Sequence, residues 1–407
     1  MKKQTMAILW ILSIVAFIVG CYGLWDRLAN GHLDAAYGSY VPWGLWVAEY
    51  IYFIGLSAGA FLLSTLVYVF NVRQLEKVGK LALLTAIVTL FAAMFLIFLD
   101  LGHPERAWKL AFNTNFTSIM GWMIWLYGAY FILLLAEFWF ALRGDLAAWS
   151  SHSALARFLT FGRRDVSTTA LAGDRRVLRI LGSIGVPLAI AFHGGVGALF
   201  GVISSRPFWN SGLTPIVFLV GALLSGGALL TFLSAVFSPN KGTEEHREMI
   251  WLLGKITLGL LALDFLLEWA DYSIGYYASI PDHINAIKAV LFGPYWWVYW
   301  IVHLGIGVVI PAILLIFNRR SWQLVAAATL LIAVTFLSVR LNIVLPALVT
   351  PEMQGLAQAY TGPGLTFTYF PSLTEWLLGL WAAALAVLVF LIGMQWLPIL
   401  NPPKEVA

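Results

Sequence analysis

Long apolar runs separated by short polar segments dominate the chain. Ten of them reach the roughly 20 residues a helix needs to cross about 30 Å of hydrocarbon: 7–25, 42–70, 81–100, 117–142, 178–203, 213–237, 250–270, 296–317, 323–346 and 374–398. They are numbered spans 1 to 10 below. The second and fourth are long enough to tilt. Hydrophobic residues make up 61% of 407 and charged residues only 11%, against about 25% charged in a soluble domain. Most of this surface is therefore not built to meet water. The pattern predicts an all-α integral membrane protein, a single membrane domain over 1–407. Lys2 and Lys3 precede the first run and no small-residue cleavage site follows it, so that run reads as a span rather than a removable leader.

Basic residues set the orientation. With the N-terminus in the cytoplasm, inner segments hold 17 of them: Lys2, Lys3, Arg73, Lys77, Lys80, Arg143, Arg157, Arg163, Arg164, Arg175, Arg176, Arg179, Lys241, Arg247, Arg319, Arg320 and Lys404. Outer segments hold 5, namely Arg27, Arg106, Lys109, Arg206 and Lys288. The positive-inside bias predicts two cytoplasmic termini in the inner membrane of a prokaryote. The 143–179 connection is expected to be the only long inner loop. Its basic residues suit topology and anionic lipid better than a ligand site. The net charge of +4 belongs to such loops and gives no sign of nucleic-acid binding.

A motif recurs. Leu56-Ser57-Ala58-Gly59-Ala60 and Leu224-Ser225-Gly226-Gly227-Ala228 lie 168 residues apart in spans 2 and 6. The same offset pairs Asp100 with Glu268. Spans 4 and 8 match through Trp122 and Trp125 against Trp297 and Trp300, both spaced i, i+3. Spans 5 and 9 align weakly, with His193 opposite Arg340. Small residues recur in membrane helices for close packing alone, but three span pairs in order favour a duplication. The expected architecture is two parallel-repeat four-helix bundles, spans 2–5 (42–203) and 6–9 (213–346), flanked by spans 1 and 10.

Ionisable groups within a membrane are costly, so each is a functional candidate. Glu49 lies about two turns below the outer end of span 2, and its repeat partner is Val217. Asp100 closes span 3 and opens Asp100-Leu-Gly-His-Pro-Glu-Arg106. His193, in the outer half of span 5, precedes Gly194-Gly195. Glu49, Asp100, His103, Arg106 and His193 are expected to converge on the outer mouth of the first bundle. In the second bundle, Asp264, Glu268 and Asp271 are spaced i, i+4, i+7, which puts them on one face of span 7. His303 on span 8 and Arg340 on span 9 lie at similar depth. The inner half holds Glu137 and Lys255. Plainer readings stand beside these: Asp100 as an interfacial group, His103 and Arg106 as loop formers, His193 as a packing residue, Arg340 and the acids as a structural ion pair. Nineteen Trp and fifteen Tyr supply interfacial belts, among them Trp43, Trp46, Trp296 and Trp297. Others could line a slot for a flat ring. Cys21 is the one cysteine, so neither a disulfide framework nor a self-contained iron–sulfur cluster can form.

These residues resemble the NrfD-like family, the membrane subunit of polysulfide reductase and related respiratory complexes. The resemblance rests on Gly55-Leu-Ser-Ala-Gly-Ala60, Asp100-Leu-Gly-His-Pro-Glu-Arg106, Asn115-Phe-Thr-Ser118 and Met120-Gly-Trp122. It covers spans 2–5 well and the rest by architecture. Members commonly carry arginine where His103 stands. Ten spans are similar to the larger branch, with the membrane subunits of hydrogenase, alternative complex III and sulfite-reductase-associated complexes. The resemblance implies a quinone (menaquinone is expected) near the outer face, and electron exchange with a ferredoxin-like iron–sulfur subunit docked there. A cytochrome or catalytic subunit would lie beyond it. It implies no haem, metal or cluster in this chain. The family's site falls about one turn before the Gly-Leu motif, at Glu49 and Tyr50 here, where the polysulfide enzyme has His and Asn.

The chemistry so implied is quinol oxidation or its reverse, in a subunit without a catalytic cofactor of its own. Electrons leave through a partner. Protons go to bases within hydrogen-bond reach of the ring oxygens; Glu49 and Asp100 suit one oxygen, His193 or His103 the other. Glu137 and Lys255 would begin a proton path from the cytoplasm. The alternative is a secondary transporter of an ion or small anion, which fits the parallel repeat and the acidic face of span 7. A b-type cytochrome would need axial histidines at matched depth on adjacent helices, and His193 and His303 fall in different bundles. The terminal donor or acceptor, the direction of flow and the quinone type stay open.

Overall fold

The computed structural model describes residues 3–72, 75, 78–151, 153–317, 321–360 and 362–400. Of the topology-setting cations, Lys2, Arg73, Lys77, Arg319, Arg320 and Lys404 lie outside the described residues, as does the side chain of Lys3. Among the described residues, ten helices are long and apolar enough to cross a membrane, and the protein is an all-α, multi-pass membrane protein. Spans 1 to 5 are Lys3–Asn30, Leu45–Tyr68, Gly79–Asp100, Ile119–Trp149 and Thr168–Gly201. Spans 6 to 10 are Thr214–Phe237, Glu244–Ala278, Val298–Phe317, Trp322–Val349 and Leu373–Trp396.

Several helices outrun their apolar runs because polar residues continue them into water. Span 5 starts at Thr168, where the Ser167 hydroxyl accepts from Ala170 N–H, and span 7 starts behind Thr243, which accepts from His246 N–H. Such caps satisfy orphan donors of the first turn. The expected 143–179 loop is accordingly mostly helix: span 4 reaches Trp149, and Ala154–Leu159 adds a further short helix. Span 8 opens as a π-helix over Val298–Val309 and continues as an α-helix over Ile310–Phe317. A helix over Pro281–Phe292 lies between spans 7 and 8.

Spans 2 and 6 sit centrally, pack on each other, and hold the core. Span 2 also packs on spans 3 and 5; span 6 also packs on spans 5, 7 and 9. Spans 4 and 5 pair, as do spans 8 and 9. Spans 1 and 10 pair outside, with span 10 against spans 2 and 3. The two small-residue motifs meet at the central crossing: a side chain on Gly226 would lie 2.6 Å from both Gly59 Cα and Ala60 N. Backbones approach this closely only where side chains are absent. The end carrying the 31–44, 101–118 and 202–213 connections is called the outer end, after the charge asymmetry. There Trp125 Nε1 donates to Thr114 Oγ1 at 3.0 Å and Trp300 Nε1 to Leu291 O at 2.9 Å, each pinning the connection before its own span.

Candidate functional site

The sequence-predicted residues separate into two groups at the outer end. Glu49 and Asp100 belong to the first, together with residues of the flanking spans. The Glu49 side chain is buried and packs against Gly379 of span 10, and its Oε2 has no hydrogen-bond partner among the described residues. One turn earlier on span 10, Glu375 accepts from Ala36 N–H and Ser372 N–H, both at 2.9 Å, and from the Tyr369 hydroxyl. Trp46 Nε1 donates to Glu375 O at 3.1 Å. Trp46 is fully buried and is not the belt residue expected of it. Asp100 Oδ1 accepts from Tyr37 OH at 3.0 Å, and Arg27 donates to Leu99 O and Leu101 O at 2.5 and 2.6 Å. The phenols of Tyr37 and Tyr369 lie outside the spans. Burial first, then the carboxylates of Asp100 and Glu375, hold both well above their ordinary 10, so both stay protonated donors.

His103, Arg106 and His193 do not join them. His103 and Arg106 flank Glu105 on the surface, at 3.1 and 3.5 Å, and their side chains are 65% and 59% exposed. They can meet a partner but not a buried ring. His193 is fully buried and its Nε2 lies 2.8 Å from Phe218 O on span 6. It turns away from the first bundle toward Arg340. Tyr50 is buried on another face of span 2, its hydroxyl bonded to that of Tyr127.

The second group is the one foreseen on span 7. His303 Nε2 lies 2.7 Å from Glu268 Oε2, with both side chains largely buried. Its position within the π-helix is informative, because such stretches cluster at functional sites. Asp264 lies within electrostatic reach of Glu268, His303 and Arg340. The Arg340 guanidinium sits over the Phe218 and Phe336 rings at 4.8 and 5.0 Å, and none of its nitrogens has a hydrogen-bond partner among the described residues.

Two cavities adjoin this group. A cleft of ≈ 60 Å³ is lined by Asp264, Glu268, Asp271 and Tyr272, with Trp209, Val217, Phe218, Val339 and Ile343 as its apolar wall. A vestibule of ≈ 350 Å³ lies beside it, lined by Ser204, Asn210, Ser211, Ile274, Gly275 and His283 among others. Asp271 and Leu213 line both. Ligand pockets for drug-sized molecules run to roughly 300–1,000 Å³, so the pair has room for a ring where the cleft alone has not. Carboxylates, an imidazole and aromatic walls can hold a flat apolar ligand that gains or loses protons.

The inner-half residues stay apart. Glu137 is fully buried, and neither carboxylate oxygen has a hydrogen-bond partner among the described residues, whereas Lys255 is exposed on the outside of span 7. Among residues that sequence reasoning passed over, Glu375 carried a signal: Ser372-Leu-Thr-Glu375 is a capping box. His283 carried one too, since Pro281 at the first turn marks a helix start between two spans.

Fold and cleft together define a multi-pass membrane protein with a buried acid, imidazole and aromatic site toward one end. The family model for polysulphide reductase, NrfD, matches residues 35–352, and the chain belongs to that family. It is similar to a selenate reductase subunit of Mesobacillus selenatarsenatis, 38% identical over 406 residues, which cover 97% of this chain and 95% of that one. The Hdr-like menaquinol oxidoreductase integral membrane subunit of Archaeoglobus fulgidus is 28% identical, with 87% and 84% covered. The menaquinone reductase integral membrane subunit of Nitratidesulfovibrio vulgaris is 24% identical, with 98% and 93% covered.

Proposed function

We propose that this chain is the quinone-interacting membrane subunit of a respiratory oxidoreductase complex. One structural observation carries the reading: Asp271 forms a wall of two adjoining cavities, with Glu268 and His303 paired beside it. The ring sits in these cavities rather than beside Glu49, whose carboxylate is packed against Gly379. Asp271 exchanges a proton with one ring oxygen, and the Glu268–His303 pair and Asp264 set the charge around it. The relatives named for menaquinol and menaquinone support menaquinone as the carrier.

With one cysteine in the chain, electrons pass to a partner, an iron–sulfur subunit on the outer surface near His103 and Arg106. A catalytic or cytochrome subunit lies beyond it. The excess of inner cations supports two cytoplasmic termini in the inner membrane of a prokaryote. Glu137, buried on span 4, is the group that would take up protons from the cytoplasm if turnover is coupled to translocation.

The test uses the intact complex, a photoreactive azidoquinone and quinol-linked turnover. Asp271→Asn and Glu268→Gln each lower turnover by on the order of 10²-fold, and the azidoquinone labels span 7. Unchanged turnover in both variants, or labelling confined to spans 2 and 10, overturns this site. Ion or anion flux through the chain without redox partners would favour transport instead.

A further inference from the structure

We infer that His283 is the proton outlet of the span 7 site, passing a proton between Asp271 and water at the outer end. The inference rests on the site proposed above. The imidazole stands on the helix Pro281–Phe292 and lines the vestibule that Asp271 also lines. Its Nε2 has no hydrogen-bond partner among the described residues. That nitrogen is turned to span 7: a side chain on Gly275 would lie 2.7 Å from it. Gly275 is four residues after Asp271, on the same helix face. The glycine thus makes room for the ring beside the turn that bears the acid, and Phe208 holds its other side, ring centres 5.9 Å apart.

The transfer is simple to balance. The Asp271 O–H bond breaks as an Nε2–H bond forms, and the imidazolium then gives its Nδ1 proton to water. No electron moves in this step. Burial holds His283 below its ordinary 6.5, so it is neutral and able to accept near pH 7. Among the described charged groups, Asp271 on span 7 lines the vestibule with it, and Asp282 and the exposed Lys288 stand on its own helix. Arg206 is paired with Glu352 at 2.7 Å, and with Asp282 those two line a small neighbouring cavity.

The experiment follows oxidation of a short-tailed naphthoquinol by the whole complex, from pH 5 to 9, with a dye as terminal acceptor. His283→Gln is expected to lower turnover by about 10²-fold, to lose the fall in rate that protonation of His283 causes on the acid side, and to recover with added imidazole. Azidoquinone labelling of span 7 is expected to persist in the variant, showing that the site is still built. Wild-type turnover across the whole pH range, or a loss that imidazole does not restore, overturns the outlet while leaving the site standing. Absence of span 7 labelling in the unaltered complex overturns both.

Discussion

Glu49 of span 2 occupies the space that a side chain at Gly379 of span 10 would need. The carboxylate and the glycine therefore fix how the outer helix pair docks on the core. Gly379→Ala adds a methyl group where the carboxylate sits, and overpacking of this kind costs about 1–3 kcal/mol. The gain in helix propensity, about 1 kcal/mol, offsets only part of it. Thermal unfolding in detergent should show a lower Tm, and Glu49→Ala added to Gly379→Ala should restore most of the loss because the two positions are coupled.

The Tyr50 and Tyr127 hydroxyls bond to each other in a buried setting. Tyr127→Phe strands the Tyr50 hydroxyl, at a cost of about 1–3 kcal/mol. Replacing both with Phe removes the stranded group and should be close to neutral. A double-mutant cycle in thermal stability checks it, and equal losses in the single and double variants would remove the pair's role.

Arg340 is a cation buried beside Asp264 and the cleft. Arg340→Met removes the cation within electrostatic reach of Asp264, and a buried acid left without its counter-charge costs up to about 3–5 kcal/mol. Asp264→Asn in the same chain should recover part of that. The measurement is again the Tm, read alongside quinol turnover. A double variant no better than Arg340→Met would separate the two residues.

His32 and His283 lie outside the spans, and burial lowers both below 6.5. The unfolded chain therefore binds more protons than the folded one below that value, and stability rises with pH there. Expected is a Tm that falls as pH drops from 7.5 to 5.5. The fall should be smaller in a His32→Gln, His283→Gln variant. A flat profile in the unaltered protein would show that neither histidine is held neutral by the fold.

Glu137 and Lys255 make different demands. Glu137→Gln should abolish any membrane potential generated during turnover in proteoliposomes, whereas Lys255→Met should leave it intact, since Lys255 faces outward. Loss of potential in the lysine variant would return it to the path.

The spans were legible because apolar runs of this length are a local property. So was the acidic face of span 7, where i, i+4, i+7 spacing is enough. The surroundings of Glu49 were not. Its neighbours stand on span 10, more than 300 residues away in sequence, and no periodicity connects them. His193 was misplaced for a similar reason: its carbonyl partner on Phe218 belongs to a helix assigned to the other bundle. Side chains that cross between helices depend on packing, and packing is not written in any one segment.

The contact between Gly59 and Gly226 has a consequence for movement. Rocking of one half of a membrane protein against the other, the usual way to alternate access, needs a seam that can slide. Here main chain touches main chain at the middle of the molecule, like interlocked fingers. Such a frame is braced at its centre, and whatever yields must do so toward its edge.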